Sequence, residues 1–320
     1  MLFLNGRDLE LAITPDELIR AVEAAFELYE GDDFSMPPRM HAEYEGNVLL
    51  LMPSFTNTEF GTKLLTVFPD NQGRGTAVIQ GVMVLNDAET GTPLALMDAA
   101  VLTGMRTAAV GAAGIKHLSH AGAGTLGIVG AGVQAWYLAR ISHRVRDFGE
   151  LFITDINREK SEDLAAKLRE STGLNVSVLD PGREILEASD VVVTATTSLS
   201  PVIPGERELL EGKTFVGIGS FKPQMREYPA ELYSLLDRIY IDSRQAVEES
   251  GDLVAALESG FLQRERIKTL GSFIMDPDPI PEGSTQFFKS VGMALFDLVV
   301  ARKIFESAKE MQLGTNIDFP

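Results

Sequence analysis

The 320-residue chain is acidic, with 46 Asp and Glu against 28 Lys and Arg and a formal net charge of −18. This charge argues against sequence-independent binding to nucleic-acid phosphates or anionic membranes, although it is compatible with a local basic pocket. The absence of cysteine excludes disulfides, thiol nucleophiles and Cys-ligated zinc.

The N-terminal region predicts one helix followed by a small sheet. Thr14, Pro15 and Glu17 supply an N-cap, a proline at the first helical position and a capping-box partner. Short β-rich runs typical of an antiparallel sheet or half-barrel follow at 47–52, 62–68, 76–85 and 93–97. The Ala/Gly-rich residues 104–118 then predict a helix that leads out of this region. The first residues carry charges without a long apolar segment, so we expect a soluble, cytoplasmic protein with no membrane span.

From residue 125 onward, strand and helix patterns alternate. Strands are predicted at 125–130, 150–155, 174–179, 190–195, 213–218 and 238–243. This alternation is typical of a doubly wound parallel sheet, the Rossmann arrangement. The proline-rich residues 276–281 predict a crossing loop, and 289–311 predict a long amphipathic helix. We therefore expect an α/β protein in which a Rossmann domain (119–284) is inserted in a second α+β domain, built from 1–118 and the returning residues 285–320.

A glycine loop follows the first of these strands. The apolar run 126–129 leads into Gly130, Ala131 and Gly132, and then into a helix that begins near Val133 and Gln134. Glycines allow a tight turn and a close approach to a pyrophosphate, which the helix N-terminus attracts through its N–H groups and its dipole. The sequence therefore predicts that these five residues bind a dinucleotide.

The next strand ends in Asp155, where a carboxylate can accept hydrogen bonds from the adenosine ribose. A carboxylate there repels a 2′-phosphate and favours NAD. Arg158, three residues later, can receive that phosphate instead. We expect NAD as the cofactor, with NADP as the alternative and Arg158 among the cofactor-binding residues.

Several motifs occur in one order along nearly the whole chain: MPPR (36–39), GTKLLTVFPDN (61–71), MDAAVLTGMRTAA (97–109), GIVGAGVQA (127–135), DVVVTATTS (190–198), GIGSFKP (217–223) and FKSVGMALFDL (288–298). With them the sequence resembles the ornithine cyclodeaminase/mu-crystallin family. That resemblance implies a Rossmann domain, a nicotinamide cofactor and a homodimer whose sheet continues across the interface. It leaves the substrate open, because the family includes cyclodeaminases, alanine dehydrogenases, ketimine reductases and a hormone-binding crystallin.

The resemblance also implies that Arg39, Lys63 and Arg106 bind a substrate carboxylate. Each has an ordinary structural explanation: Arg39 as a loop charge, Lys63 as a strand-edge lysine, and Arg106 as a helix-start cation that needs a compensating anion. A cluster of cations on a carboxylate fixes the pose of an α-imino acid, and Lys63 can also act as a catalytic proton donor.

Two positions depart from the cyclodeaminase pattern. Phe221 stands where those enzymes have an aspartate, and Leu50 stands where they have a glutamate. Both acids would recognise a side-chain ammonium, so a pocket for ornithine is poorly formed here. A ring imine has no such ammonium, and we expect Phe221 to contact it.

The remaining candidates lie at strand ends. Thr194 and Thr196 are expected to line the nicotinamide ribose, and Ser290 and Gly292 match a family segment near the nicotinamide. Asp297 is either functional or a structural partner for a cation. The four histidines have no metal-ligand spacing, so we assign no metal site.

Together these features predict an NAD(P)H-dependent reductase of a small cyclic α-imino acid, with conversion of Δ1-pyrroline-2-carboxylate to L-proline as the leading case. The enzymatic alternatives are alanine dehydrogenase-type amination of a 2-oxo acid and ornithine cyclodeamination. The alternative from another class is a crystallin-like protein that binds nucleotide and ligand with little turnover.

Overall fold

The computed structural model describes residues 1–318. One unit contains Met1–Arg106 and the chain from Met293 onward, and the other contains Thr107–Gly292. Within the described residues, no helix is long and apolar enough to cross a membrane.

The first part of the chain alternates short strands with three helices. Its elements are β1 (Leu2–Leu4), α1 (Gly6–Ala12), α2 (Pro15–Glu30), β2 (Phe34–Ser35), β3 (Met40–Tyr44), β4 (Asn47–Thr56), β5 (Glu59–Val67), a 3-10 helix (Pro69–Gly73), β6 (Ile79–Asp87), β7 (Pro93–Asp98) and α3 (Ala99–Leu118). The predicted cap of α2 is present, since Thr14 and Glu17 form a capping box and Pro15 is the first helical residue.

The remainder of the chain alternates strands and helices. Its elements are β8 (Thr125–Val129), α4 (Val133–Ser142), β9 (Glu150–Thr154), α5 (Arg158–Thr172), β10 (Val176–Val178), α6 (Arg183–Ala188), β11 (Val191–Thr194), α7 (Arg207–Leu210), β12 (Thr214–Gly217), α8 (Ala230–Tyr233), β13 (Ile239–Ile241), α9 (Ala246–Glu249), α10 (Gly251–Glu258), a 3-10 helix (Arg264–Arg266), β14 (Ile267–Thr269), α11 (Leu270–Met275), β15 (Gln286–Lys289), α12 (Ala294–Glu310) and β16 (Thr315–Asn316).

The sheet of the first unit runs in the order β16-β1-β7-β6-β5-β4-β2, with β3 paired to β4. Its pairs are antiparallel except β1 with β7. Alternate residues of β4, β5 and β6 are buried, and α12 packs over this inner face and against α2. The Phe26 and Phe296 rings join the two helices edge to face, with centroids 4.8 Å apart.

The sheet of the second unit is parallel throughout and runs in the order β10-β9-β8-β11-β12-β15-β13-β14. Its central strands are fully buried, which explains why they read as continuous apolar runs. The strand order reverses direction between β8 and β11. In open α/β sheets such a switch point is where ligands bind, outside the carboxyl ends of the strands.

The structure differs from the sequence prediction near both unit boundaries. Helix α3 begins at Ala99 instead of residue 104, and the C-terminal helix begins at Ala294 instead of residue 289. Residues 286–289 form β15 of the parallel sheet, so the chain stays in the second unit until Gly292. The predicted boundary at 284/285 leaves this strand out of the parallel sheet, because its short apolar core is flanked by polar residues. The predicted boundary at 118/119 lies at the end of α3, whereas the units divide within that helix, after Arg106.

Candidate active site

A buried ionic cluster lies on the inner sheet face of the first unit. Lys63 projects inward from β5, and its Nζ donates to Asp297 Oδ2 at 2.8 Å. Arg106 of α3 donates through Nε to the other oxygen of the same carboxylate at 3.0 Å. All three side chains are almost fully buried. One carboxylate therefore holds two cations that are far apart in the sequence.

Burial controls the protonation of this cluster. Desolvation lowers the pKa of Lys63 from 10.5 to about 7; Asp297 opposes this shift, and the positive charges of Arg106 and Arg39 add to it. Burial raises the pKa of Asp297, but Arg106 and Lys63 together hold it below its ordinary range. The group that exchanges its proton near neutral pH is therefore Lys63, while Asp297 stays ionised.

The cluster carries more positive than negative charge. Lys63 and Arg106 bring two positive charges to the single Asp297 carboxylate. Arg39, between β2 and β3, is close enough to influence Lys63 electrostatically. A net positive, water-poor site favours a small anion such as a carboxylate. The structure thus brings together the three residues for which the sequence predicts carboxylate binding.

Asp297 is the anion that the buried cations require. The sequence predicted Arg106 at the start of a helix, but this residue lies well inside α3. Arg106 therefore needs a counter-charge because its guanidinium is buried, and not because it faces the positive end of a helix dipole. Asp297 lies in the first turn of α12, where the positive end of that helix dipole favours a carboxylate.

The glycine loop of the second unit has the geometry of a phosphate site. Gly130 follows β8 with φ +105, a conformation that favours glycine, and a Cβ there would lie 2.8 Å from the Ala195 carbonyl oxygen. Gly132 is the N-cap of α4, with open space where a Cβ would project. The first N–H groups of α4 have no partner within the helix. This open helix N-terminus fits a dinucleotide pyrophosphate.

Asp155 fixes the glycine loop from the neighbouring strand. Its Oδ2 accepts from the Ala131 backbone N–H at 2.8 Å, and its Oδ1 accepts from the Asn157 N–H at 2.9 Å. A carboxylate has further lone pairs, so it can still accept from a ribose hydroxyl. Arg158 is exposed and forms ion pairs with Glu162 and Asp180, at 2.9 and 2.8 Å. An Arg158 contact to a 2′-phosphate would compete with both carboxylates.

The other predicted cofactor residues use their side chains internally. The Thr194 hydroxyl donates to Tyr228 Oη at 3.0 Å, and the Thr196 hydroxyl donates to Glu227 Oε1 at 2.9 Å. The Ser290 hydroxyl donates to Asp242 Oδ2 at 2.7 Å, as does the Gly292 backbone N–H at 2.6 Å. These positions shape the strand ends, so their contacts to a cofactor stay a prediction.

Comparison with known proteins gives the family. The sequence profile of the Ornithine cyclodeaminase/mu-crystallin family matches residues 2–312. The chain belongs to this family. Δ1-Pyrroline-2-carboxylate reductase of Bacillus cereus is 31% identical to it over 327 aligned residues, which cover 100% of both chains.

Two solved structures of family members superpose closely. Thermococcus litoralis Δ1-pyrroline-2-carboxylate reductase in complex with NADH and L-proline has a TM-score of 0.91 and 31% identity, covering 99% of this chain and 100% of that one. An archaeal alanine dehydrogenase dimer with bound NAD has a TM-score of 0.90 and 30% identity, covering 100% and 99%. The predictions of the family and of the Rossmann fold class are confirmed.

The two departures from the cyclodeaminase pattern lie in different units. Leu50 is partly exposed on β4, on the same sheet face as Lys63, because it pairs with Leu65 while Lys63 pairs with Met52. Leu50 therefore adds apolar surface to the face that carries the cations. Phe221 is 40% exposed in the loop after β12 of the second unit.

Sequence reasoning missed a second set of buried charges, Glu227, Asp242, Asp252 and Lys289. Two of them end strands or follow them directly: Lys289 is the last residue of β15, and Asp242 follows β13. These residues could have been found from the sequence as charged residues at the carboxyl end of an apolar run, because ligands of parallel sheets bind at that edge.

Proposed function

We propose that this protein is an NAD(P)H-dependent reductase of a small cyclic α-imino acid, with Δ1-pyrroline-2-carboxylate giving L-proline as the leading case. The observation that carries the proposal is the buried cluster of Lys63, Arg106 and Asp297, with Arg39 nearby. Its excess positive charge suits the carboxylate of an imino acid. The Bacillus and Thermococcus relatives named above, both reductases of this imine, add support.

The chain is an NAD(P)-dependent oxidoreductase acting on a carbon–nitrogen bond, and its cofactor is NAD, with NADP as the alternative, as the sequence predicted. NADH supplies the hydride when it is bound. Gly130, Gly132 and the N-terminus of α4 would hold the pyrophosphate, and Asp155 would accept from the adenosine ribose.

The cationic cluster has two tasks in this reaction. Arg39 and Arg106 orient the substrate carboxylate, because a guanidinium can bond both carboxylate oxygens. Lys63, with a pKa of about 7, holds a proton that it can give to the imine nitrogen. The imine gains one hydride at carbon and one proton at nitrogen, which makes a secondary amine and consumes one proton.

The surroundings favour a ring imine over ornithine. Leu50 lies on the sheet face that carries the cations, at a position where cyclodeaminases of this family have an acid for the side-chain ammonium. Desolvating that ammonium against apolar groups would go uncompensated, whereas ring methylenes gain from the same contact. Amination of a 2-oxo acid stays the second candidate, supported by the archaeal alanine dehydrogenase.

The decisive experiment compares three reactions with the purified protein. NADH oxidation is followed with Δ1-pyrroline-2-carboxylate and with pyruvate plus ammonium, and NAD reduction is followed with ornithine. We expect kcat/KM for the cyclic imine to exceed both others by at least about 100-fold, with L-proline as product. Turnover of only pyruvate or only ornithine would overturn the proposal. Ligand binding that depends on the cofactor, without consumption of any substrate, would indicate a crystallin-like binding protein.

The proposal includes a homodimer and a cytoplasmic location. The sheet of the first unit has an outer face, opposite α12, on which Leu49, Leu51, Leu64, Val82 and Val84 are all partly exposed. On the adjoining β3, Met40 and Tyr44 are 52% and 75% exposed. A contiguous apolar face of this kind is typical of a protein interface, and the archaeal relative is a dimer.

A further inference from the structure

A second buried ion cluster lies at the carboxyl ends of the strands of the parallel sheet. Lys289 Nζ is 3.2 Å from Asp252 Oδ2 and 3.6 Å from Glu227 Oε2, and none of the three side chains is exposed. Lys289 ends β15, and Asp252 lies in the first turn of α10. Burying two carboxylates around one ammonium is costly unless hydrogen bonds satisfy the remaining oxygens.

The Glu227 carboxylate accepts hydrogen bonds from two separate loops. Its Oε1 accepts from the backbone N–H and the hydroxyl of Thr196, just after β11, at 2.8 and 2.9 Å. Its Oε2 accepts from the N–H groups of Gly219 and Ser220, after β12, at 2.9 and 3.0 Å. One side chain therefore ties together the loops that follow two adjacent strands.

Asp252 and Lys289 hold Glu227 in place. Asp252 Oδ1 accepts from the backbone N–H groups of Glu227 and Tyr228, at 2.8 and 3.0 Å, which fixes the chain on both sides of the Glu227 side chain. Lys289 places a positive charge between the two buried carboxylates. The cluster is thus built around the position of one carboxylate.

The two loops are also in close steric contact. A Cβ at Gly219 would lie 2.1 Å from the Thr196 carbonyl oxygen and 2.4 Å from Glu227 Oε1. Nothing larger than glycine fits between them without moving one loop. The two loops are therefore packed tightly against each other, with the Glu227 carboxylate bonded to both.

These loops lie beside the switch point of the sheet. The glycine loop after β8 and Asp155 after β9 account for the pyrophosphate and the adenosine, so the loops after β11 and β12 adjoin the other end of a dinucleotide. We propose that Glu227 is a positioning residue: held by Asp252 and Lys289, it sets the two loops that receive the nicotinamide half of the cofactor. The same bond to the Ser220 N–H fixes the start of the segment that carries Phe221.

This inference rests on the proposed function only in taking NADH as the cofactor, and a binding experiment tests it without turnover. NADH and ADP-ribose, which lacks the nicotinamide, are titrated calorimetrically into wild type, Glu227→Gln and the control Glu231→Gln. Glu231 is an exposed glutamate on α8, so the control makes the same chemical change away from the loops. We expect Glu227→Gln to weaken NADH binding at least about tenfold and ADP-ribose binding less than about twofold. The control should match the wild type.

Glu227→Asp is the second variant, because it keeps the charge beside Lys289 but is too short to reach both loops. Glu227→Asp should likewise weaken NADH binding more than ADP-ribose binding. If Glu227→Gln does not fold, the inference is tested with Glu227→Asp alone. Equal weakening of NADH and ADP-ribose, no change in either, or failure of both variants to fold would overturn the inference. Absence of NADH binding to the wild type would overturn the proposed function as well, whereas unchanged variants of an NADH-binding wild type overturn the inference alone.

Discussion

At the scale of single residues, Lys63 is the member of the buried ionic cluster whose charge changes near neutral pH. Its lowered pKa means that the proton is lost as pH rises through about 7, so the neutral amine dominates above that value. If Lys63 donates a proton to the imine, kcat/KM for reduction falls as pH rises past about 7. The reverse oxidation of the amine, which needs the neutral lysine, rises over the same interval.

Replacing Lys63 tests this role directly. We expect Lys63→Met to lower kcat/KM for imine reduction by about 100-fold or more, while the Kd for NADH changes little. The variant should also lose the pH limb, that is, the decrease of kcat/KM as pH rises past about 7. Lys167→Met, at an exposed lysine of α5, is the matched control and should retain both the activity and the pH limb. A Lys63→Met enzyme that keeps its activity would show that the proton comes from elsewhere.

Asp297 sets the position of that pH limb. The carboxylate raises the pKa of Lys63 by charge and by its hydrogen bond, against burial and the nearby arginines, which lower it. Asp297→Asn should therefore move the limb to more acidic pH and reduce activity at neutral pH. Because breaking a buried ion pair costs about 3–5 kcal/mol, kcat/KM should be measured well below the melting temperature of the variant.

Glu306→Gln is the control for Asp297→Asn, since Glu306 is an exposed residue of the same helix, paired with Arg302. It should leave the pH profile unchanged. If Asp297→Asn alters the rate but leaves the limb in place, the titrating group is not Lys63.

At the scale of elements, the turn between β8 and α4 combines two glycines with different tasks. Gly130 has a positive φ and no room for a Cβ, so Gly130→Ala should lower the free energy of unfolding by about 1–3 kcal/mol. Gly132 has φ −89 and open space, so Gly132→Ala should leave the unfolding free energy nearly unchanged. In the proposed cofactor site the added methyl group would project toward the pyrophosphate, so NADH binding should weaken.

Thermal unfolding without cofactor and NADH titration separate these two effects. Gly130→Ala should have a lower melting temperature than the wild type. Gly132→Ala should bind NADH more weakly at an unchanged melting temperature. If Gly132→Ala binds NADH as the wild type does, the pyrophosphate does not approach this turn.

The elements that local sequence predicts well are those whose pattern is complete within a few residues. The buried strands β8, β9, β11 and β12 appear as apolar runs between helical segments, and α2 shows its cap. Strand β15 was missed because only Phe287 and Phe288 lie between polar residues, and the ion-pair partners of the buried Lys289, Glu227 and Asp252, lie elsewhere in the chain. Family resemblance named Lys63 and Arg106, but their pairing with Asp297 joins residues far apart in the chain, which no local pattern reports.

At the scale of the whole molecule, the sheet of the first unit buries only one of its faces under α12. The outer face presents a continuous set of partly exposed apolar side chains on β4, β5 and β6, flanked by the more exposed β3. Single exposed leucines are common on monomers, but an apolar row across three neighbouring strands exceeds what isolated surface residues explain. A second copy of the chain would cover this face, and the family resemblance implies a homodimer.

A charge placed at the centre of this face should therefore separate the subunits. We expect light scattering to give twice the chain mass for the wild type and one chain mass for Leu64→Glu, because a dimer would bury the new carboxylate against apolar side chains. Leu11→Glu makes the same change at a 52% exposed leucine of α1 and should leave the dimer intact. Circular dichroism should show that both variants are folded. A dimeric Leu64→Glu would mean that the subunits meet elsewhere, and a monomeric wild type would mean that the outer face has no self-partner.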